Sequence, residues 1–182
     1  MRLFIAIHLN KPILKKIEEL ILPLANQYKD LKWVSFENMH ITIKFLGETN
    51  DTNLDSIIKS LQEINLQSFN LTIQNLGAFP NINFPKVLWI GLKGDINSIK
   101  SLVKKVETHM KVLNFLEERR EWSPHITIAR VRTKIPKDLI NFISLHKDVH
   151  FGEISISSFS LMESNLTSKG PIYKEIKRFT LS

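Results

Sequence analysis

Met39-His40-Ile41-Thr42-Ile43-Lys44-Phe45-Leu46-Gly47-Glu48 in the first half of the chain is answered by Trp122-Ser123-Pro124-His125-Ile126-Thr127-Ile128-Ala129-Arg130 in the second. The four residues His-Ile-Thr-Ile stand in both. Successive side chains of an extended strand point to opposite faces. His40 and Thr42 therefore share one face while Ile41 and Ile43 share the other, and His125 and Thr127 stand in the same relation to Ile126 and Ile128. Each strand anchors itself in a core with its isoleucines and presents an imidazole and a hydroxyl on the opposite side. Strands hold reacting groups more rigidly than loops do.

Around these two stretches the pattern alternates between strand and helix periods. Residues 2–8 alternate, with Leu3, Ile5, Ile7 and Leu9 on one face, which predicts a half-buried strand. Residues 12–27 carry Ile13, Leu14, Ile17, Leu20, Ile21 and Leu24 at helical spacing behind Asn10, a capping residue. A short extended piece around Trp33 leads to a strand over 39–46 that ends at Gly47, and a helix follows over 52–64. Strands are expected near 69–76 and 86–93, separated by a loop with two Phe-Pro steps, then a helix over 96–114 and a strand over 124–131. A short helix begins at Pro136, and the chain closes with strands over 153–162 and 172–181. No linker or low-complexity tract divides the chain. The absence of a strict βαβ rhythm predicts an α+β fold. The repeated strand–helix–strand run ending in His-Ile-Thr-Ile predicts two lobes in residues 1–182, two antiparallel sheets about a central cleft, helices outside, and an approximate internal two-fold.

The chain has 182 residues, enough for a substantial core, with 43% hydrophobic and 24% charged residues. With no cysteine, disulfides, thiolate nucleophiles and thiolate metal sites are excluded, and a reducing cytoplasm fits. No apolar run is long enough to span a bilayer, so no membrane association is expected. The opening Met1-Arg2-Leu3-Phe4-Ile5-Ala6-Ile7 lacks a cleavage site and is read as the first strand rather than a signal. The net charge is +7, which favours polyanionic partners, RNA first among them. Much of that charge is lysine on helix faces, where it simply solvates.

Two imidazoles and two hydroxyls facing one space are what in-line phosphoryl chemistry needs. A neutral imidazole takes a proton from the attacking oxygen and an imidazolium gives one to the leaving oxygen. Histidine holds both forms near neutrality. Threonine hydroxyls can donate hydrogen bonds to the non-bridging phosphate oxygens. This chemistry requires no metal or other cofactor. A lone His-x-Thr in a strand carries little information, whereas two copies with matched apolar flanks form one constellation.

At these residues the sequence resembles the 2H phosphoesterases, and more closely the LigT/ThpR-like RNA 2′,3′-cyclic phosphodiesterases. The resemblance also runs through Arg2 to Ile7, Gly77-Ala78-Phe79-Pro80, Lys86-Val87-Leu88-Trp89, Ser164-Asn165-Leu166 and Gly170-Pro171-Ile172-Tyr173. It implies a bilobed fold with a basic cleft that hydrolyses a terminal 2′,3′-cyclic phosphate to a 2′-phosphomonoester. RNA ends, tRNA fragments among them, would be the substrates of a monomeric enzyme. Some members join tRNA halves through a 2′–5′ bond, the reverse chemistry. The same site chemistry would also serve a small cyclic nucleotide, an ADP-ribose cyclic phosphate or an oligoadenylate. A non-catalytic RNA-end binding module is a further alternative.

Within this frame His40 is expected to be the proton donor and His125 the acceptor, because Arg130 near His125 disfavours its imidazolium. Thr42, Thr127 and Arg130 are expected to bind the phosphate. Strict alternation puts Arg130 on the wrong face, so it needs a bulge or a strand end to reach the site. The same parity gives Lys44 the face of His40, where it reaches phosphate or solvent, and gives Phe45 the buried face. Phe4, Phe45, Phe79, Trp89 and Tyr173 are candidates for a base-stacking surface, most of them core. His8, His109, His146 and His150 are expected to be structural or solvent-facing.

Overall fold

In the computed structural model, which describes residues 1–182, the elements run β1 (Arg2–His8), α1 (Lys11–Gln27), β2 (Lys32–Trp33), β3 (His40–Glu48), α2 (Leu54–Gln62), β4 (Phe69–Phe79), β5 (Val87–Gly94), α3 (Ile96–Val112), β6 (His125–Arg130), α4 (Lys137–Leu145), β7 (His150–Ile156), β8 (Ser158–Thr167) and β9 (Gly170–Thr180). Asn10 starts α1 by accepting from the backbone N–H of Ile13 at 2.9 Å, satisfying a donor that the first turn would otherwise leave orphaned. Asp95 does the same for α3 through Ser98, at 3.1 Å. Ile13, Ile17, Ile21 and Leu24 of α1, and Ile99, Leu102, Val103, Val106 and Met110 of α3, are the buried stripes. No helix is long and apolar enough to cross a membrane.

The strands are ordered β7-β4-β5-β6-β3-β1-β8-β9, with β2 added beside β6. Every pairing is antiparallel. From the centre outward the two wings are β3-β1-β8-β9 and β6-β5-β4-β7, which makes the order a palindrome. The wings are the two expected antiparallel sheets, and they join through a single register pair, Ile41 opposite Ile126. The expected α+β architecture and the approximate two-fold are borne out. Buried apolar residues from both wings form one cluster of 40, so the join is a shared core and not a linker.

Each repeat carries a β-bulge at its second isoleucine. Opposite β1, Ile5 faces Lys44 and Ala6 faces Thr42, which leaves Ile43 as the extra residue. Opposite β5, Leu88 faces Ala129 and Trp89 faces Thr127, which leaves Ile128 extra. A bulge inserts one residue and so inverts the facing of everything beyond it. This corrects two expectations drawn from strict alternation. Lys44 turns inward and is 6% exposed, whereas Phe45 turns to the face of His40 and is 63% exposed. The same inversion carries Arg130 to the face of His125 and Thr127, and buries Ala129 in its place.

Two further expectations are revised. The first strand is buried on both faces, because Phe4 and Ala6 pack on Met162 and Tyr173 while Leu3, Ile5 and Ile7 enter the main core. The run 153–162 is two strands. The chain breaks at Ser157 and crosses from β7 beside β4 to β8 beside β1, at the other end of the sheet.

The inward Lys44 is fully occupied. Its Nζ donates to both carboxylate oxygens of Glu107 on α3 and to the carbonyl of Leu116, each at 2.8 Å. It ties β3, α3 and the segment leading to His125 together. Lys44→Met is expected to cost about 2–3 kcal/mol in chemical denaturation, below the ~3–5 of a fully enclosed pair because Glu107 can still reach water. No measurable change in the denaturation midpoint would remove this interaction from the account of the fold.

Candidate active site

His40 opens β3 and His125 opens β6, and the two strands present them on one face of the sheet. Antiparallel pairing at Ile41 and Ile126 sets His40 beside Thr127 and Thr42 beside His125. The segment before His125 is fixed by the Trp122 indole N–H, which donates to the carbonyl of Thr42 at 3.0 Å.

The two imidazoles are held by the same device. Nδ1 of His40 lies 2.6 Å from the carbonyl oxygen of Asn38, and Nδ1 of His125 lies 2.8 Å from that of Ser123. A carbonyl can only accept, so Nδ1 carries the hydrogen in both rings and the lone pair of a neutral ring lies on Nε2. Each ring is also braced by a phenylalanine of its own wing, Phe4 from the adjacent β1 and Phe79 from the end of β4, two strands away. The Phe4 centroid lies 5.0 Å from His40 and the Phe79 centroid lies edge-on 5.1 Å from His125.

Beyond the rings the symmetry breaks. Nε2 of His40 lies 3.0 Å from Thr42 Oγ1, while Nε2 of His125 has no protein partner. Tyr173 stands edge-on to His40 at 5.4 Å and edge-on to Phe4 at 4.9 Å. Asn38 binds the carbonyl of Pro171 at 2.9 Å and so ties the start of β3 to the β8–β9 hairpin that carries Tyr173. A cavity of about 340 Å³ opens on this flank of His40. On the other side, Trp89 packs across Gly77, where a Cβ would lie 2.2 Å from the indole ring.

All five residues expected from the sequence, His40, Thr42, His125, Thr127 and Arg130, therefore share one face. Of the aromatic candidates, Phe4 and Phe79 brace the histidines, Trp89 packs on Gly77 and Phe45 stands exposed. His109 bonds Ser60 at 3.1 Å and His146 stacks on Phe142 at 4.0 Å, both structural, and His150 is exposed. His8 is exposed, within the expectation of a structural or solvent-facing residue, but its placement was not legible in the sequence. It sits directly across from His40 in the β1–β3 register, with its Nε2 3.0 Å from Glu175 on β9. Its position depends on that register, which no local pattern in the sequence encodes. No group of three or more His, Asp or Glu side chains is arranged to hold a metal ion.

Burial is the main force on both imidazoles. It pushes the pKa of His40 below the ordinary 6.5, with the charges of His8 and His125 adding to it against the hydrogen bond to Asn38. It lowers His125 likewise, with the Arg130 charge adding to it against the hydrogen bond to Ser123. The depression of His125 by Arg130 was expected, but the similar depression of His40 means that charge alone does not separate the two roles.

A pair of strands bearing two imidazoles, two hydroxyls and an arginine on one face, within a palindromic sheet, is the arrangement expected of a two-histidine phosphoesterase. The family model described as LigT like Phosphoesterase matches residues 7–89 and 90–173, one stretch for each His-Ile-Thr-Ile, and the chain belongs to that family. Among its relatives, a protein of Archaeoglobus fulgidus named RNA 2′,3′-cyclic phosphodiesterase is 35% identical over 98% of this chain and 99% of its own length. One of the same name from Methanocaldococcus jannaschii is 37% identical over 98% of this chain and 100% of its own. Among solved structures, TT0787 of Thermus thermophilus superimposes with a TM-score of 0.84 at 24% identity, covering 99% of this chain and 97% of that one. Escherichia coli LigT complexed with 3′-AMP gives 0.78 at 21% identity, covering 100% and 98%. These structural likenesses carry the fold.

A site that needs one neutral and one protonated imidazole works between the two pKa values, and lowering both moves that window towards acid. The maximum of kcat/KM, which reports the free protein, is therefore expected below 6.5, the ordinary value. Bound phosphate favours the imidazolium and moves the kcat profile to higher pH. A pH series on one substrate measures both, and a kcat/KM maximum on the alkaline side of neutrality would contradict the buried setting of these rings.

Proposed function

We propose that this protein is an RNA 2′,3′-cyclic phosphodiesterase that opens terminal cyclic phosphates, those of tRNA fragments among them, to 2′-phosphomonoesters. His125 is the base and His40 the acid. Water attacks phosphorus while Nε2 of His125 takes its proton. The P–O3′ bond breaks as Nε2 of His40 delivers a proton to O3′. Thr42 and Thr127 donate hydrogen bonds to the non-bridging oxygens, where negative charge accumulates. Arg130 adds a guanidinium that can bind phosphate in bidentate fashion.

The observation that carries the direction of reaction is the difference between the two flanks. The leaving oxygen is part of the ribose, so the nucleoside must lie beyond the acid. A cavity of about 340 Å³, within the ~300–1,000 Å³ typical of small-ligand sites, adjoins His40. On the other flank, Nε2 of His125 has no protein partner to compete with water for its lone pair. The curated names of the relatives support the reaction type.

Turnover of an oligonucleotide ending in a 2′,3′-cyclic phosphate, with EDTA present, is the direct test. His40→Ala and His125→Ala should each lower kcat by about 10²–10⁴ with the fold retained. A substrate with a much better leaving group should rescue His40→Ala and not His125→Ala, and the opposite pattern would exchange the two roles.

Arg130→Lys should lose most of what Arg130→Ala loses, because an ammonium cannot reproduce a two-pronged contact. Wild-type kinetics in Arg130→Ala would return this residue to the solvent.

A further inference from the structure

The cavity beside His40 has an apolar wall and a polar end. Phe4, Met162 and Tyr173 make the wall, and His8, Glu175 and Arg178 make the end. Nothing in the two-histidine reaction uses these last three. They are nevertheless tightly organised. Glu175 Oε2 accepts from the fully buried Ser160 hydroxyl at 2.7 Å and from Arg178 Nε and Nη2 at 3.1 and 3.0 Å. The same oxygen pairs with His8 Nε2 at 3.0 Å. Three hydrogen bonds from two side chains, with the His8 ring beside them, thus converge on one oxygen of the carboxylate, and Oε1 is left without a protein partner on a side chain that is 32% exposed. Burial acts to raise the pKa of Glu175, but the hydrogen bonds from Ser160 and Arg178, with the charges of Arg178 and His8, outweigh it and hold the group ionised.

The charges decide what such an end can read. The carboxylate offsets the guanidinium, so the cluster is a poor receptor for a second phosphate. A carboxylate fixed at one oxygen and open at the other is an acceptor, and it selects a neutral group that carries N–H donors. On the reading that His40 protonates O3′, the ribose lies at the mouth of this cavity and the base extends into it.

We propose that this cavity holds the terminal base and that Glu175 is its specificity-determining residue, its free oxygen accepting from the exocyclic amine of adenine, cytosine or guanine. Uracil has no such amine. Its only ring N–H available for pairing sits between two carbonyl oxygens, whose lone pairs meet the carboxylate unfavourably. His8, Ser160 and Arg178 are positioning residues that hold the carboxylate in place.

The test is a set of four oligonucleotides, identical except for the terminal base, each ending in a 2′,3′-cyclic phosphate. In the wild-type protein kcat/KM for uracil ends should lie roughly tenfold below the other three, the effect of one charge-assisted hydrogen bond in a half-open site. Glu175→Gln gives the sharper readout. The donors that converge on Oε2 fix the amide oxygen there, so its NH₂ takes the place of Oε1 and offers a donor instead of an acceptor. The preference should then reverse towards uracil, while stability, read by thermal unfolding, changes little. A merely structural Glu175 would lower all four rates together in the variant. Equal wild-type rates on all four ends would overturn the proposal and leave the phosphodiesterase reading intact. Absence of turnover on every end would remove that reading and this one with it.

Discussion

Everything in this molecule hangs on a contact of minimal length, the single register pair between Ile41 and Ile126. Two wings of antiparallel sheet meet there and nowhere else along their central strands. A longer ladder between β3 and β6 would close the space between them with backbone hydrogen bonds. One pair is enough to fix the relative position of the wings because the isoleucines continue into a core that both wings share, and Trp122 and Lys44 tie the adjoining segment to the first wing. Rigidity at the seam comes from packing behind the sheet, and the face in front is free for chemistry.

The sequence was legible wherever one period or one capping residue governed the outcome. Helix α1 begins where Asn10 caps it, and the buried stripes of α1 and α3 are the ones that the apolar spacing marks. The repeat of His-Ile-Thr-Ile announced the two-fold because a duplicated pattern is visible without any structure. Facing beyond the bulges was not legible. Alternation is a local rule, and a bulge is set by the partner strand, so Lys44 and Phe45 exchanged places and Arg130 gained the face that alternation denied it. The break at Ser157 was hidden for a similar reason. Both β7 and β8 mix apolar with polar residues and no turn residue marks the break, so only the topology of the whole sheet shows that they belong to opposite ends of it.

The candidate site divides along the same line. Its five expected residues lie within the two motifs, where spacing along one strand carries the geometry. The Nδ1 partners of both histidines are backbone carbonyls, which leave no mark on the residue types. The cluster of His8, Ser160, Glu175 and Arg178 is assembled from three strands that meet only through tertiary register. Glu175 and Arg178 read, one residue at a time, as ordinary surface charges of a basic protein.

The palindrome also bears on how a substrate finds its orientation. In a perfectly symmetric sheet the two imidazoles would be interchangeable, and a nucleotide could dock either way round with equal affinity. Residues beyond the bulges and on the partner strands break that equivalence, with Phe45 in one wing where Arg130 stands in the other, and His8 across from His40 where Gly91 lies across from His125. These few differences give the groove a polarity. A duplicated scaffold supplies both imidazoles at once, and divergence outside the repeated tetrapeptides makes the face directional.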